Sequence, residues 1–162
     1  MKAYAIVTFA IGMALLAQNA LAVDLTPGSE LDPAATRSLP QQSAVIQQSG
    51  YGNESAILQR GSYNSAQIIQ QGVANSASAR QVGMAHQARV IQSGVQLDAS
   101  ILQQGQGHDA GIVQAGYGKE AIINQHGAYG SAEIHQLGTH RTSPITITQF
   151  SRGQAAIQVY RY

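Results

Sequence analysis

One motif constrains this chain more than any other. Gln-x-Gly recurs at Gln48, Gln59, Gln70, Gln81, Gln92, Gln103, Gln114, Gln125 and Gln136, and the spacing never slips. Every copy follows the last by the same eleven-position step. With such a period the unit, rather than the whole chain, is the object that must fold and stack. Each unit is numbered here from four positions before its glutamine. The first position is then Ala44, Ser55, Ala66, Ala77, Ala88, Ala99, Ala110, Ala121 and Ala132. The third is Ile46, Ile57, Ile68, Ala79, Val90, Ile101, Ile112, Ile123 and Ile134. The seventh is Gly50, Gly61, Gly72, Gly83, Gly94, Gly105, Gly116, Gly127 and Gly138. The remaining positions vary.

Constancy at the first, third, fifth and seventh positions is a period of two, which is a strand with one fixed face. Each unit reads as a short strand followed by a turn of similar length. The turns are rich in Gly, Asn, Ser and Tyr, as in Gly50-Tyr51-Gly52-Asn53 and Gly61-Ser62-Tyr63-Asn64, where Gly and Asn tolerate positive φ. A helix competes poorly because the glycine recurs too often. Two units make one turn of a coil, so alternate units stack into two parallel sheets. The fold class expected is all-β, a two-sheet parallel β-solenoid. Gly50–Glu54 is echoed by Gly116–Glu120, and the offset between them is a whole number of such turns.

The fixed face is expected to point inward, making a thin core of Ala, Ile and Gln between sheets ~10 Å apart. A buried amide is costly unless bonded. Identical glutamines stacked one above another supply that bond as a ladder. Outward, Ile69, Ile91 and Val113 form an aliphatic stripe at the fourth position, either a lateral contact or ordinary strand propensity.

Composition narrows the function. There is no cysteine, so no disulfide holds the fold, and charged residues are only 10% of the chain. Met1-Lys2, an apolar run from Ala3 to Leu16 and an Ala-x-Ala site ending at Ala22 have the three-part layout of a secretory signal peptide. Cleavage after Ala22 removes Lys2 from nine basic residues and leaves eight against eight acidic ones. A neutral chain lacks self-repulsion, and no basic patch suggests nucleic acid. The organisation expected is a signal peptide at 1–22, a flexible secreted lead at 23–43, nine regular units at 44–142 and a degenerate basic repeat at 143–162.

The tail departs from the pattern. The next glutamine after Gln136 in strand context is Gln149, two positions late, and Ser151 stands where glycine belongs. Pro144 precedes Ile145-Thr146-Ile147-Thr148, a tolerated strand start. Arg141, Arg152 and Arg161 make this end basic, while the lead carries Asp24, Glu30 and Asp32. No capping element is evident in Val23 to Gln42, and an uncapped end of a solenoid is a template for another chain.

Other function classes find less support. Asp98 and Glu120 both hold the eleventh position, one turn of the coil apart. They stack as a carboxylate pair, better read as gatekeepers against assembly than as catalysts. His86 and His108 stack at the tenth position in a column completed by Asn64 and Gly130. Two histidines are a weak ligand set, so they are expected to be solvated turn residues, with a pH-dependent assembly rate as a milder possibility. Neither catalytic residues, a metal nor a cofactor is expected. A capped monomeric adhesin needs caps, and an ice binder needs threonine ladders.

The pattern Ala-x-Ile-x-Gln-x-Gly, paired into double-length repeats behind a signal peptide, resembles the curlins of bacterial curli fibres from Ala44 to Tyr162. The resemblance implies an amyloid β-solenoid secreted from a Gram-negative cell through an outer-membrane channel. It implies homotypic and heterotypic curlin partners, attachment to the outer cell surface and a place in an adhesive biofilm matrix. The degenerate final repeat, and alanine opening most units, resemble the minor, nucleating curlin. Its surface-anchoring role maps onto Arg141, Arg152 and Arg161. The regularity of the first nine units leaves the major, fibre-building subunit as the alternative.

Overall fold

The computed structural model describes residues 4–10, 18–22 and 41–162. The lead predicted at 23–43 therefore lies, up to residue 40, outside the described residues. From Ser43 onward the chain is a two-sheet parallel β-solenoid of about five turns, and no helix occurs among the described residues. Regular nine-residue strands follow one another: β3 (Ser43–Tyr51), β4 (Glu54–Ser62), β5 (Ser65–Val73), β6 (Ser76–Met84), β7 (Gln87–Val95), β8 (Asp98–Gln106) and β9 (Asp109–Tyr117). They run longer than the motif alone predicts, because pairing between rungs continues through the glycine and one position beyond it. Two longer strands, β10 (Glu120–Gln136) and β11 (Ile145–Arg161), turn a corner midway and serve both sheets.

The register is one full turn throughout. Ala44 pairs with Ala66, Ala66 with Ala88 and Ala88 with Ala110 in the first sheet. Ser55 pairs with Ala77 and Ala77 with Ala99 in the second. A parallel strand needs a crossover to reach its neighbour, and here the opposite sheet is that crossover. Alternation follows: Ala66, Ile68 and Gln70 are buried while Ser65 is exposed and Gln67 and Ile69 are half-buried. Ile57, Ile68, Val90, Ile101, Ile112, Ile123 and Ile134 form the core with the alanines beside them. Burying each large aliphatic contributes roughly 1.5–3 kcal/mol.

The turns are bonded from rung to rung as well. Ala74 N–H donates to Tyr51 O at 2.9 Å, and Glu54 N–H to Asn75 O at 2.8 Å. Positive φ falls at the seventh position, always on glycine, and at the ninth, where Tyr63, Ala74, Ala85, Gln96 and Tyr129 adopt it at 53–58°. Turn composition points to asparagine for that conformation. Asn53, Asn64 and Asn75, at the tenth position, are instead buried.

The last strand extends the coil despite its divergence. Ile145, Ile147 and Gln149 pair with Ala121, Ile123 and Gln125. The loop 137–144 absorbs the two extra positions between Gln136 and Gln149. After a bulge opposite Ala128 and Gly130, Ile157, Val159 and Arg161 pair with Ala132, Ile134 and Gln136. At the other end β1 (Tyr4–Ala10) and β2 (Gln18–Ala22) lie antiparallel along β4 and β3. Both fall within the segment predicted to be cleaved, and cleavage would bare both edges of the first rung.

In the nine regular units the seventh position admits only glycine for a steric reason, whereas Ser151 of the last turn lies outside the positive-φ region. A Cβ built on Gly72, at φ +120°, would lie 1.9 Å from Gly94 O. Gly72→Ala is expected to destabilise the assembled protein by roughly 3 kcal/mol, from positive φ and backbone overlap together. Guanidinium release from the fibre, compared with wild type, measures this; an unchanged midpoint contradicts the register.

Candidate assembly site

Two ladders run the length of the core. In the first sheet Gln48 Nε2 donates to Gln70 Oε1 at 2.7 Å, Gln70 to Gln92 at 2.8 Å, Gln92 to Gln114 at 2.9 Å and Gln114 to Gln136 at 2.8 Å. In the second, Gln59, Gln81, Gln103, Gln125 and Gln149 are linked by four bonds of 2.9 Å. The second N–H of each amide after Gln48 crosses the core to a backbone carbonyl, and that of Gln48 reaches Ser55 Oγ at 2.9 Å. Gln59 reaches Ser43 O at 2.8 Å, Gln70 reaches Glu54 O at 3.0 Å and Gln103 reaches Gln87 O at 2.8 Å. A buried primary amide is thereby saturated, with one donor along the stack, one across it and its oxygen accepting from the rung before. Gln59 heads its ladder, and its Oε1 is buried without a partner among the described residues.

A second pair of ladders lies at the corners. His86 and His108, expected to be solvated, are 0% and 1% exposed. Their rings stack at 5.2 Å with 4° between planes. The tenth position turns inward at each corner, and its side chain closes the turn. Asn53 Oδ1 accepts Asn75 N–H at 3.1 Å, and Asn53 Nδ2 donates to Gly72 O at 3.0 Å. In the other column Asn64 Oδ1 accepts His86 N–H, and His86 Nδ1 accepts His108 N–H at 3.2 Å. His108 Nδ1 in turn accepts Gly130 N–H at 3.0 Å. Since Nδ1 accepts, the proton of His86 sits on Nε2, which faces Val82 O at 3.3 Å. Histidine thus offers the same acceptor and donor as asparagine, which explains why the two residues interchange here. Leu97 and Lys119 occupy the same inward position on the opposite corner, each 1% exposed, and Lys119 Nζ donates to His140 O at 2.5 Å. The signal in the sequence is the recurrence of Asn53, Asn64 and Asn75 at one position of the unit.

The remaining candidates fall as follows. The stripe Ile69, Ile91 and Val113 is stacked in register and half-buried, flanked by Gln47 and His135. Asp98 and Glu120 are register partners. Arg141 lines an open groove with Lys119, Asp98 and Glu120. Arg161 takes the glutamine position of the last half-turn and donates to Ser143 O at 3.2 Å. Arg152 stands at the opposite corner, beside the bulge. All three arginines are exposed, and the fold divides them between two corners rather than gathering them.

These features define a class: a parallel β-solenoid stapled by amide ladders and built from one repeated unit. The family model of the curlin-associated repeat matches residues 43–72, which are β3, β4 and most of β5, and this match supports the curlin family. No curated protein and no solved structure matches it. The repeat match and the β-solenoid fold together support a structural subunit of the curli type.

Two outcomes follow from the ladders. Gln92→Leu keeps the bulk but leaves Gln70 Nε2, Gln114 Oε1 and Ser76 O without their partner. At about 1–3 kcal/mol for each buried orphan, a loss of several kcal/mol is expected in denaturant release, and a loss below about 1 kcal/mol would place the ladder outside the stabilising core. Burial pushes the His86 pKa below 6.5, the His108 ring adds to the fall, and the Val82 and Gly105 carbonyls oppose it. The unfolded chain then binds the extra proton first, so stability is full above 6.5 and lost as pH falls from there toward the lowered native value. His86→Asn should flatten that loss between pH 7.5 and 5.5. Asp109, whose carboxyl burial and then Glu133 hold above 3.8, acts in the opposite sense. The difference between the two proteins therefore isolates the histidine.

Proposed function

We propose that the chain is the minor curlin of a Gram-negative cell, a subunit that starts curli growth and holds the fibre to the cell surface. In this reading residues 1–22 are a signal peptide removed after Ala22. The processed chain, beginning with the lead 23–43, then passes through an outer-membrane channel, and the repeats template other curlin chains in the extracellular matrix. The observation that carries the reading is the last turn. Residues 145–161 continue both sheets, yet Ser151 replaces the glycine and Arg161 the glutamine. The molecule therefore has one end made of nine regular units and one end that differs in chemistry. A regular end supports templating of a regular partner. The basic end, carrying Arg141, Arg152 and Arg161, supports contact with an anionic cell surface, a contact weakened by salt. The register of the nine units also favours the major subunit as a second reading.

A seeding assay separates the two. The processed chain, added in substoichiometric amount to a regular curlin, is expected to abolish the lag in thioflavin fluorescence. Deleting 143–162 should leave seeding in solution but release fibres from producing cells into the medium. A chain that leaves the lag unchanged is not the nucleator, and a deletion that leaves fibres cell-bound removes the anchoring role.

A further inference from the structure

The two sheets do not contain the same number of strands. The first holds β3, β5, β7, β9 and the second halves of β10 and β11, six in all. The second holds β4, β6, β8 and the first halves of β10 and β11, five in all. Counted from Ser43, the solenoid is five and a half turns long. Its last half-turn is only partly covered: Val159 packs against the core, yet Ile157 is 38% exposed, whereas Ala132 beneath it is 2% exposed.

This geometry decides how a second copy can be added. A copy set on top by translation alone would place its β3 over Ala156–Arg161 and leave a vacant half-turn above Ile145–Ser151. A copy rotated by half a turn about the fibre axis leaves no vacancy. Its β3 lies over the first half of β11, putting Ala44 over Ile145, Ile46 over Ile147 and Gln48 over Gln149. Its β4 then covers the last half-turn, with Ile57 over Val159 and Gln59 over Arg161. The rotated copy meets Ile147 and Gln149, which keep the residue types of the fixed pattern, alongside Ile145, Ser151 and Arg161, which depart from it.

We propose that successive copies of the processed chain are related by a half-turn screw, each β3 filling the open half-turn of the copy before it. The inference rests on the fibre-subunit reading above. Its second support is chemical. Gln59 Oε1, buried and unpartnered among the described residues, needs a donor from the preceding rung. Arg161 sits at the glutamine position of the final half-turn and carries donors only. In the rotated register that guanidinium meets that oxygen. The leader strands β1 and β2 occupy the same edges, so the arrangement belongs to the chain after their removal.

Rung spacing of ~4.8 Å gives each copy a rise of roughly 26 Å and the fibre a true repeat of about 53 Å. The test is cross-linking between copies. The full-length precursor is expressed in an exporting host, and the processed protein is assembled, oxidised and dissolved without reductant. Stacked Cα atoms ~4.8 Å apart lie within disulfide reach. The pair Ser49→Cys with Phe150→Cys should yield dimers and higher multimers. The pair Ser49→Cys with Tyr162→Cys, adjacent only under pure translation, should stay monomeric. All three positions are exposed, so assembly should survive the substitutions. Helical reconstruction of unsubstituted fibres should show the same half-turn per copy. Cross-linking of the 49–162 pair, or of neither pair, or a rotation near zero, overturns the screw while leaving the fibre intact. Failure of the unsubstituted chain to form fibres overturns the fibre reading itself.

Discussion

A primary amide buried between two sheets is tolerable only when both its N–H groups and its oxygen are engaged. Leaving one unmet costs about 1–3 kcal/mol. That requirement organises this molecule. Gln70 meets it with Gln48 on one side, Gln92 on the other and Glu54 O across the core. The arrangement works only if every turn of the coil has the same length, because a slip of one residue would carry the amide to the outer face. The rigid period is therefore a consequence of the ladder. The loop 137–144 makes the same point in reverse. Two residues are inserted there, outside the strands, and Gln125 still reaches Gln149 at 2.9 Å.

Glycine at the seventh position is the steric counterpart of that hydrogen-bond rule. The chain reverses so tightly that successive seventh residues stack backbone on backbone, with no room for a Cβ between Gly50 and Gly72 O. The first and third positions are small and aliphatic for a related reason. Two sheets this close leave space for alanine opposite isoleucine and little more. Ala79, the one alanine at the third position, sits between Ile57 and Ile101 in its column.

Most of this is legible in the sequence because it is periodic. The inward face and the pairing of Ala44 with Ala66 follow from spacing alone, while the extension of the coil through Ile145-Thr146-Ile147 shows in the strand pattern although the spacing slips by two positions there. The tenth position misleads because residue type suggests the wrong environment. A histidine or lysine in a Gly- and Asn-rich turn reads as solvated, yet His86, His108 and Lys119 are buried. The recurrence of Asn53, Asn64 and Asn75 marks the position, but backbone geometry is needed to show that the corner turns its tenth side chain inward to bond the turns above and below. Asn and His share a column because each offers one acceptor and one donor at comparable reach, an equivalence hidden from hydropathy. The ninth position is equally opaque. Tyr63 and Gln96 hold φ at 57° and 55° because bonds between rungs fix the backbone around them, and local preference yields.

The amide ladders also have a direction. Every Nε2 points toward the C-terminal rung and every Oε1 toward the N-terminal one, from Gln48 to Gln136 and from Gln59 to Gln149. The side-chain dipoles therefore add rather than cancel, and they lie along the same axis as the rung-to-rung backbone bonds. The molecule behaves as a vector. One end is terminated by oxygens and the other by hydrogens. An inverted copy would set oxygen against oxygen at one junction and hydrogen against hydrogen at the other. A filament of such vectors cannot reverse its sense without a defect that every later rung would inherit.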